Sequence, residues 1–151
     1  MTRWRTRALD RAVRLGTRPE ADERGEWNRR VGLFGENLAA LHLRRSGLKT
    51  LYRNFRAPKG GEVDIVCRDG DWLVFIEVKT RTSDQYGRPV AAVNRDKQAL
   101  IVKGAMAWLR ELNFPDLKFR FDVVEVVLLE GEAPKIEHLR NVFEMPRGYV
   151  Y

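Results

Sequence analysis

Cysteine occurs once and histidine twice, and no apolar run approaches the roughly 18 residues that a membrane-crossing helix needs. The single Cys67 excludes an intrachain disulfide and any multi-cysteine zinc site, and its apolar setting reads as a small buried hydrophobe. His42 and His138 lack partners at metal-ligand spacing, so a zinc reading fails. No glycine-rich phosphate loop of the P-loop or dinucleotide type is present, no internal repeat occurs, and neither Ser46 nor Ser83 has a histidine placed by a motif. The N-terminal stretch has no apolar h-region. Its arginines come mixed with Asp10, Glu20, Asp22, Glu23 and Glu26, unlike an import signal, so the expected location is the cytoplasm.

What is present is a chain of 151 residues, 44% hydrophobic and 32% charged, sized for one domain around one core. Its net charge of +7 is unevenly spread: residues 1–60 hold 15 Lys and Arg against 6 Asp and Glu, and the remainder holds 13 against 15. Such asymmetry suits a polyanionic partner, because neutralising phosphates releases counterions without reading sequence. A basic surface kept for solubility reads equally well from composition alone. Residues 1–28 lack a sustained core pattern and are expected to form a basic, mobile arm, leaving 29–151 as the single domain.

Val31, Phe34, Leu38 and Leu41, with Leu33 and Leu43 beside them, recur at helical spacing and predict a helix over 29–46, stopped by Gly47. KTLYRNF reads as a strand and RAPKGG as a loop. Two further strands are expected at 62–68 and 72–79, joined at Asp69-Gly70. TSDQYGRPVAA is a loop. Asn94 can cap a helix running to about Leu112, with Leu100, Ile101, Ala105, Trp108 and Leu109 facing inward. A strand over 119–129 and an edge strand in KIEHLRNVF complete the order αβββαβ(β). The expected class is α/β, a mixed central β-sheet flanked by α-helices.

The hairpin poses the functional question, because charges interrupt strands that packing would fill with Val and Ile. With Asp69 and Gly70 as the two central turn residues, Asp64 faces Phe75 and Glu62 faces Glu77. Alternation then sends Glu62, Asp64, Glu77 and Lys79 to one face and Val63, Ile65, Cys67, Val74, Ile76 and Val78 to the other. Three carboxylates beside one lysine call for a cation. An all-oxygen set suits Mg²⁺ or Mn²⁺, which uses one or two protein carboxylates and keeps waters. A solvated polar face with a salt bridge to Lys79 is the structural alternative. Arg81 shares the parity of Glu77 and Lys79, and Lys97 stands near the start of the second helix, so both are candidates for phosphate contact, with Arg53, Arg56 and Lys59 from the basic half. Asp122 in RFDVV is expected to pair with Arg120 or a neighbouring strand.

EVDIV followed by FIEVKTR resembles the PD-(D/E)XK nuclease signature, with Asp64 as the first acid, Glu77 and Lys79 as the E-x-K, and Val63 where the signature has proline. GLFGENLAALHL, RNFR, GGEVDIV, VFIEVKTR and RFDVV, in that order, resemble the YraN-like family, bacterial proteins akin to archaeal Holliday-junction resolvases, over about residues 30–145. The resemblance implies a restriction endonuclease-like core and a Mg²⁺-dependent endonuclease acting on DNA, branched DNA included. It makes Asp64, Glu77 and Lys79 catalytic, and adds Glu36 to Asp64, Glu77 and Glu62 as metal ligands. Expected partners are nucleic acid, DNA foremost, and a second copy of the chain in a homodimer, with no membrane. The competing expectations are a nucleic-acid-binding module of the same fold without cleavage, and a protein-interaction domain.

Overall fold

The computed structural model describes residues 24–83 and 93–148. Residues 1–23 of the arm expected over 1–28, and residues 84–92 of the loop expected over 82–92, lie outside the described residues, while residues 24–28 are helical rather than part of an arm. In chain order the elements are α1 (Arg24–Arg45), β1 (Lys49–Arg56), β2 (Glu62–Asp69), β3 (Trp72–Arg81), α2 (Arg95–Glu111), β4 (Lys118–Val127) and β5 (Lys135–Phe143). Helix α1 thus begins at Arg24, ahead of the expected start at residue 29.

The five strands form one mixed sheet in the order β1-β2-β3-β4-β5. β1, β2 and β3 run antiparallel as a meander, α2 carries the chain across to β4, which lies parallel to β3, and β5 returns antiparallel on the far edge. A parallel pair needs such a crossover, and central β3 and β4 are accordingly buried on both faces. Helix α1 covers one face, where Ala39, Leu43 and Leu48 pack on Ile65, Cys67, Val74, Ile76, Val124 and Val126. Helix α2 covers the other, where Ile101, Val102, Ala105 and Leu109 pack on Val63, Val66, Leu73, Phe75 and Phe121. Val63, expected with Ile65 and Cys67, therefore belongs to the α2 side.

The buried stripe of α1 is Val31, Gly35, Ala39 and Leu43, a four-residue repeat of mostly small residues, while Leu33 and Leu41 are exposed. Small residues let the helix axis approach the sheet. A Cβ on Gly35 would come within 2.8 Å of the Thr80 Cβ on β3, so only glycine allows this seating. Leu100 of α2 is likewise exposed, and Ile101, Val102 and Ala105 take the inward face. Asn94 caps α2 as its side chain accepts from the Lys97 N–H at 2.9 Å.

The β2–β3 turn differs from expectation by one step. Asp69 pairs with Trp72, so the central residues are Gly70 and Asp71, and Gly70 takes φ 58°. Glycine at the first central position is what this two-residue loop requires. Asp69 is held in the strand because its carboxylate accepts from Arg120 Nη2 at 2.7 Å, with Arg140 at 3.5 Å. The register moves by two residues, so side-chain parity between the turn and the Ile65–Ile76 pair is unchanged, while beyond it Val63 departs from the side of Ile65 and Cys67.

On the α1 side of β4 lies a closed polar network. Arg120 Nε donates to Asp122 Oδ1 at 3.0 Å, the Asn141 N–H donates to the same oxygen at 2.9 Å, and His138 Nε2 is 2.8 Å from Oδ2. Asp122 is held below the ordinary carboxylate range: burial opposes this, and the His138 and Arg120 bonds outweigh it. Cys67 is buried in the core, as expected, which pushes its thiol up to about 11.

Candidate active site at the fork of two strands

The β2–β3 ladder ends at Ile65 and Ile76 although both strands run on. Beyond that pair the Asp64 carboxylate takes the place of a ladder acceptor, with Oδ2 accepting from the Val78 N–H at 2.8 Å. Continuing the register puts Glu77 opposite Asp64, whose charge acts on the Glu77 carboxyl. Glu77 is buried, and its Oε2 has no hydrogen-bond partner. Burial first, then the charge of Asp64, pushes the Glu77 carboxyl up to about 7. Two cations face its other oxygen: Lys79 Nζ and Lys97 Nζ each lie 3.5 Å from Oε1.

Glu36 reaches the same place from α1. Its carboxyl is raised by burial and by the Asp64 charge, against which a bond to Asn54 acts. The close seating of Gly35 on Thr80 holds α1 against β3 next to Glu36, which lines one cavity with Lys79. A cavity of about 330 Å³ lies between α1 and β3, lined by Trp27, Asn28, Val31, Glu36, Lys79 and Thr80 among others, with Asp64 and Glu77 outside its lining.

Glu62 lies at the start of β2. It faces Arg56 across the β1–β2 ladder and pairs with both Arg56 Nη1 and Lys97 Nζ. The Lys97 bond, opposed in part by burial, lowers its carboxyl. Both oxygens of Glu62 are thereby engaged by cations. Lys97 is raised in turn: burial alone would lower it, but Glu62, Glu77 and Asp64 together prevail.

Of the expected phosphate contacts, Arg56 and Lys97 border the carboxylates and Lys59 is exposed on the loop between β1 and β2. Arg53 leans on α1, donating from Nη2 to Asn37 Oδ1 at 2.8 Å. Arg81 is drawn to the buried Glu125 on β4 at 2.7 Å. Asn54 was not foreseen. It takes φ 55° in mid-strand, and the β1–β2 register sets it opposite Asp64. An asparagine inside an otherwise sheet-forming run is the signal that marks it, because the type is depleted in strands and tolerant of positive φ.

Among the described residues no group of three or more His, Cys, Asp or Glu side chains is placed to hold a metal ion. The donor set on offer is two adjoining carboxylates, one oxygen of which is buried and unpartnered. That fits a hard divalent ion, which takes one or two protein carboxylates at about 2.0–2.1 Å for Mg²⁺ and completes its shell from water and phosphate. No described helix is long and apolar enough to cross a membrane.

The family model of the uncharacterised protein family UPF0102 matches residues 35–126. UPF0102 protein GSU0650 of Geobacter sulfurreducens is 49% identical over 118 residues, covering 78% of this chain and 91% of its own. Relatives from Geobacter metallireducens, at 48% identity, and Rhodococcus opacus, at 45%, cover 78% and 77% of this chain and 95% and 98% of their own.

Proposed function

Taking as premise that the chain belongs to the UPF0102 (YraN) family, we propose that it is a divalent-metal-dependent endonuclease that hydrolyses phosphodiester bonds in DNA, branched DNA being the favoured form. The observation that carries this reading is the convergence of Asp64 and Glu77 where β2 and β3 part, with Glu77 Oε2 buried and unpartnered and Lys79 at 3.5 Å. A pure binding surface gains nothing from buried carboxylates facing a polyanion. Asp64 and Glu77 hold Mg²⁺ or Mn²⁺, with Glu36 beside Asp64. The bound ion supplies Lewis acidity at the scissile phosphate. Lys79 orients the attacking water and stabilises negative charge as the water oxygen bonds to phosphorus and the P–O bond to the leaving sugar oxygen breaks. Arg56 and Lys59 hold neighbouring phosphates.

The test is a cleavage assay with Mg²⁺ and Mn²⁺ on single-stranded, duplex, flap and four-way DNA. Asp64→Asn and Glu77→Gln should each lower the rate by at least about 10³-fold, some 4 kcal/mol of barrier, and should lose the ion. Both should bind metal-free DNA as tightly as the wild type or more so. Lys79→Ala should keep the ion and lose turnover. A wild type that cleaves none of these substrates, and binds DNA no differently from the three variants, would make the protein a nucleic-acid-binding module.

A further inference from the structure

Lys97 occupies an unusual position. It sits on α2, remote in sequence from the hairpin, yet its ammonium touches Glu62 and stands 3.5 Å from Glu77 Oε1. The fold arranges this closely. Gly104 lies two helical turns further along the same face, and a Cβ there would meet Val63 Cγ2 at 2.9 Å and the Glu62 backbone at 3.0 Å. The helix therefore rests directly on the start of β2, and this seating carries Lys97 over the carboxylates. Lys79, by comparison, is more exposed, and Glu77 is the carboxylate it pairs with.

Resting on the nuclease reading, we propose that Lys97 is a built-in counterion that stands in for the divalent ion in the metal-free protein and yields to it, with Glu62 as the seat to which it withdraws. An ion at ligand distance from Glu77 and an ammonium on the same carboxylate would set three positive charges within a few ångströms in a half-buried place, which is strongly repulsive. Lys97 has an alternative that costs it little, because Glu62 already holds it. Moved off Glu77 and kept by Glu62, the ammonium remains beside the cleavage point, free to meet a phosphate oxygen of the substrate. Glu62 thus acts through Lys97 as a positioning residue.

Isothermal titration with Mn²⁺ at pH 8, without DNA, tests this. Lys97→Met should bind Mn²⁺ about tenfold more tightly than wild type, and its metal-free melting temperature should fall while the ion restores it. Glu62→Gln should weaken Mn²⁺ binding, since the lysine loses its second seat and stays on Glu77. A general field effect of the Glu62 charge would do the same, so the decisive measurement is the double variant: in the Lys97→Met background, Glu62→Gln should leave Mn²⁺ affinity unchanged. Lys97→Gln, which keeps a donor for Glu62, repeats the test if the methionine variant folds poorly. Unchanged affinity in Lys97→Met or Lys97→Gln, with Asp64→Asn abolishing binding, overturns this inference and leaves the nuclease reading standing. An equal loss from Glu62→Gln in both backgrounds also overturns it. A wild type without measurable Mn²⁺ binding whose Lys97→Met variant gains it supports the inference. Absence of binding in all variants overturns both.

Discussion

Two buried carboxylates, Asp122 and Glu77, sit on adjacent strands of one sheet and are finished in opposite ways. Asp122 has both oxygens answered, by Arg120, His138 and the Asn141 N–H, and is held strongly acidic. Glu77 has one oxygen shared by two lysines at 3.5 Å and one with no partner, and its proton affinity is raised to about 7. A buried charge with every lone pair satisfied is structural; one left incomplete costs stability and persists where something else is meant to complete it. On the nuclease reading, the contrast separates the part of the polar interior that holds the fold from the part that would bind the ion.

The contrast can be broken most forcefully at Asp122. Asp122→Ala leaves Arg120 Nε and His138 buried without that acceptor, Arg120 keeping only Asp69, and should cost about 3–5 kcal/mol in chemical denaturation. Glu77→Gln should cost nothing at pH 8 without metal, because it removes a carboxylate whose ionised form the site disfavours. Equal losses at both positions would erase the distinction. Gly35→Ala comes next. The added methyl group collides with Thr80, should cost about 1–3 kcal/mol, and should weaken Mn²⁺ binding by shifting Glu36, while leaving the Asp122 end of the sheet intact.

Acidity sharpens the comparison further, with opposite signs at the two sites. The folded protein holds the Glu77 proton more tightly than the unfolded chain does, so that contribution is complete below the ordinary value of 4.5 and is lost as pH rises to about 7. Asp122, shifted down, contributes above its ordinary 3.8 and loses that contribution as pH falls through its depressed value. Metal-free unfolding free energies measured between pH 4 and 8 should therefore show a declining component that Glu77→Gln abolishes. The smallest effect belongs to Lys79→Ala, which should leave stability within about 0.5 kcal/mol of wild type, since its ammonium is partly exposed.

How much of this could be read from residues alone depended on how local the cause was. Side-chain parity near the β2–β3 turn needed only a two-residue turn, and it survived the shift from Asp69-Gly70 to Gly70-Asp71 as far as Ile65, whereas Val63 beyond it lies on the α2 side. The register itself did not, because Asp69 is claimed by Arg120 and Arg140, remote in the chain. The Asn94 cap was legible for the same local reason. The inward face of α1 was misjudged at Leu33 and Leu41: large apolar residues attract attention, while the helix is seated by Gly35 and Ala39. Lys97 was marked as basic and near a helix start, but its contact with Glu62 and Glu77 depends on Gly104 admitting α2 to the strand, which no periodicity expresses. Glu62 was placed on the charged face, and only the structure shows its oxygens taken by Arg56 and Lys97.

The Asp64–Val78 bond has a consequence for sequence drift. One Asp64 oxygen stands in for a missing rung of the sheet, so position 64 keeps a structural demand for an oxygen acceptor even where no chemistry is performed, and asparagine would meet it. Position 77 has no such second duty, since its buried oxygens support no backbone. In a chain of this architecture released from selection for cleavage, the acid at 77 should erode first, to glutamine or an apolar residue that relieves an unfavourable burial, while 64 stays Asp or Asn. The pair thus behaves as an internal clock of lost activity, with residue 77 as its fast hand.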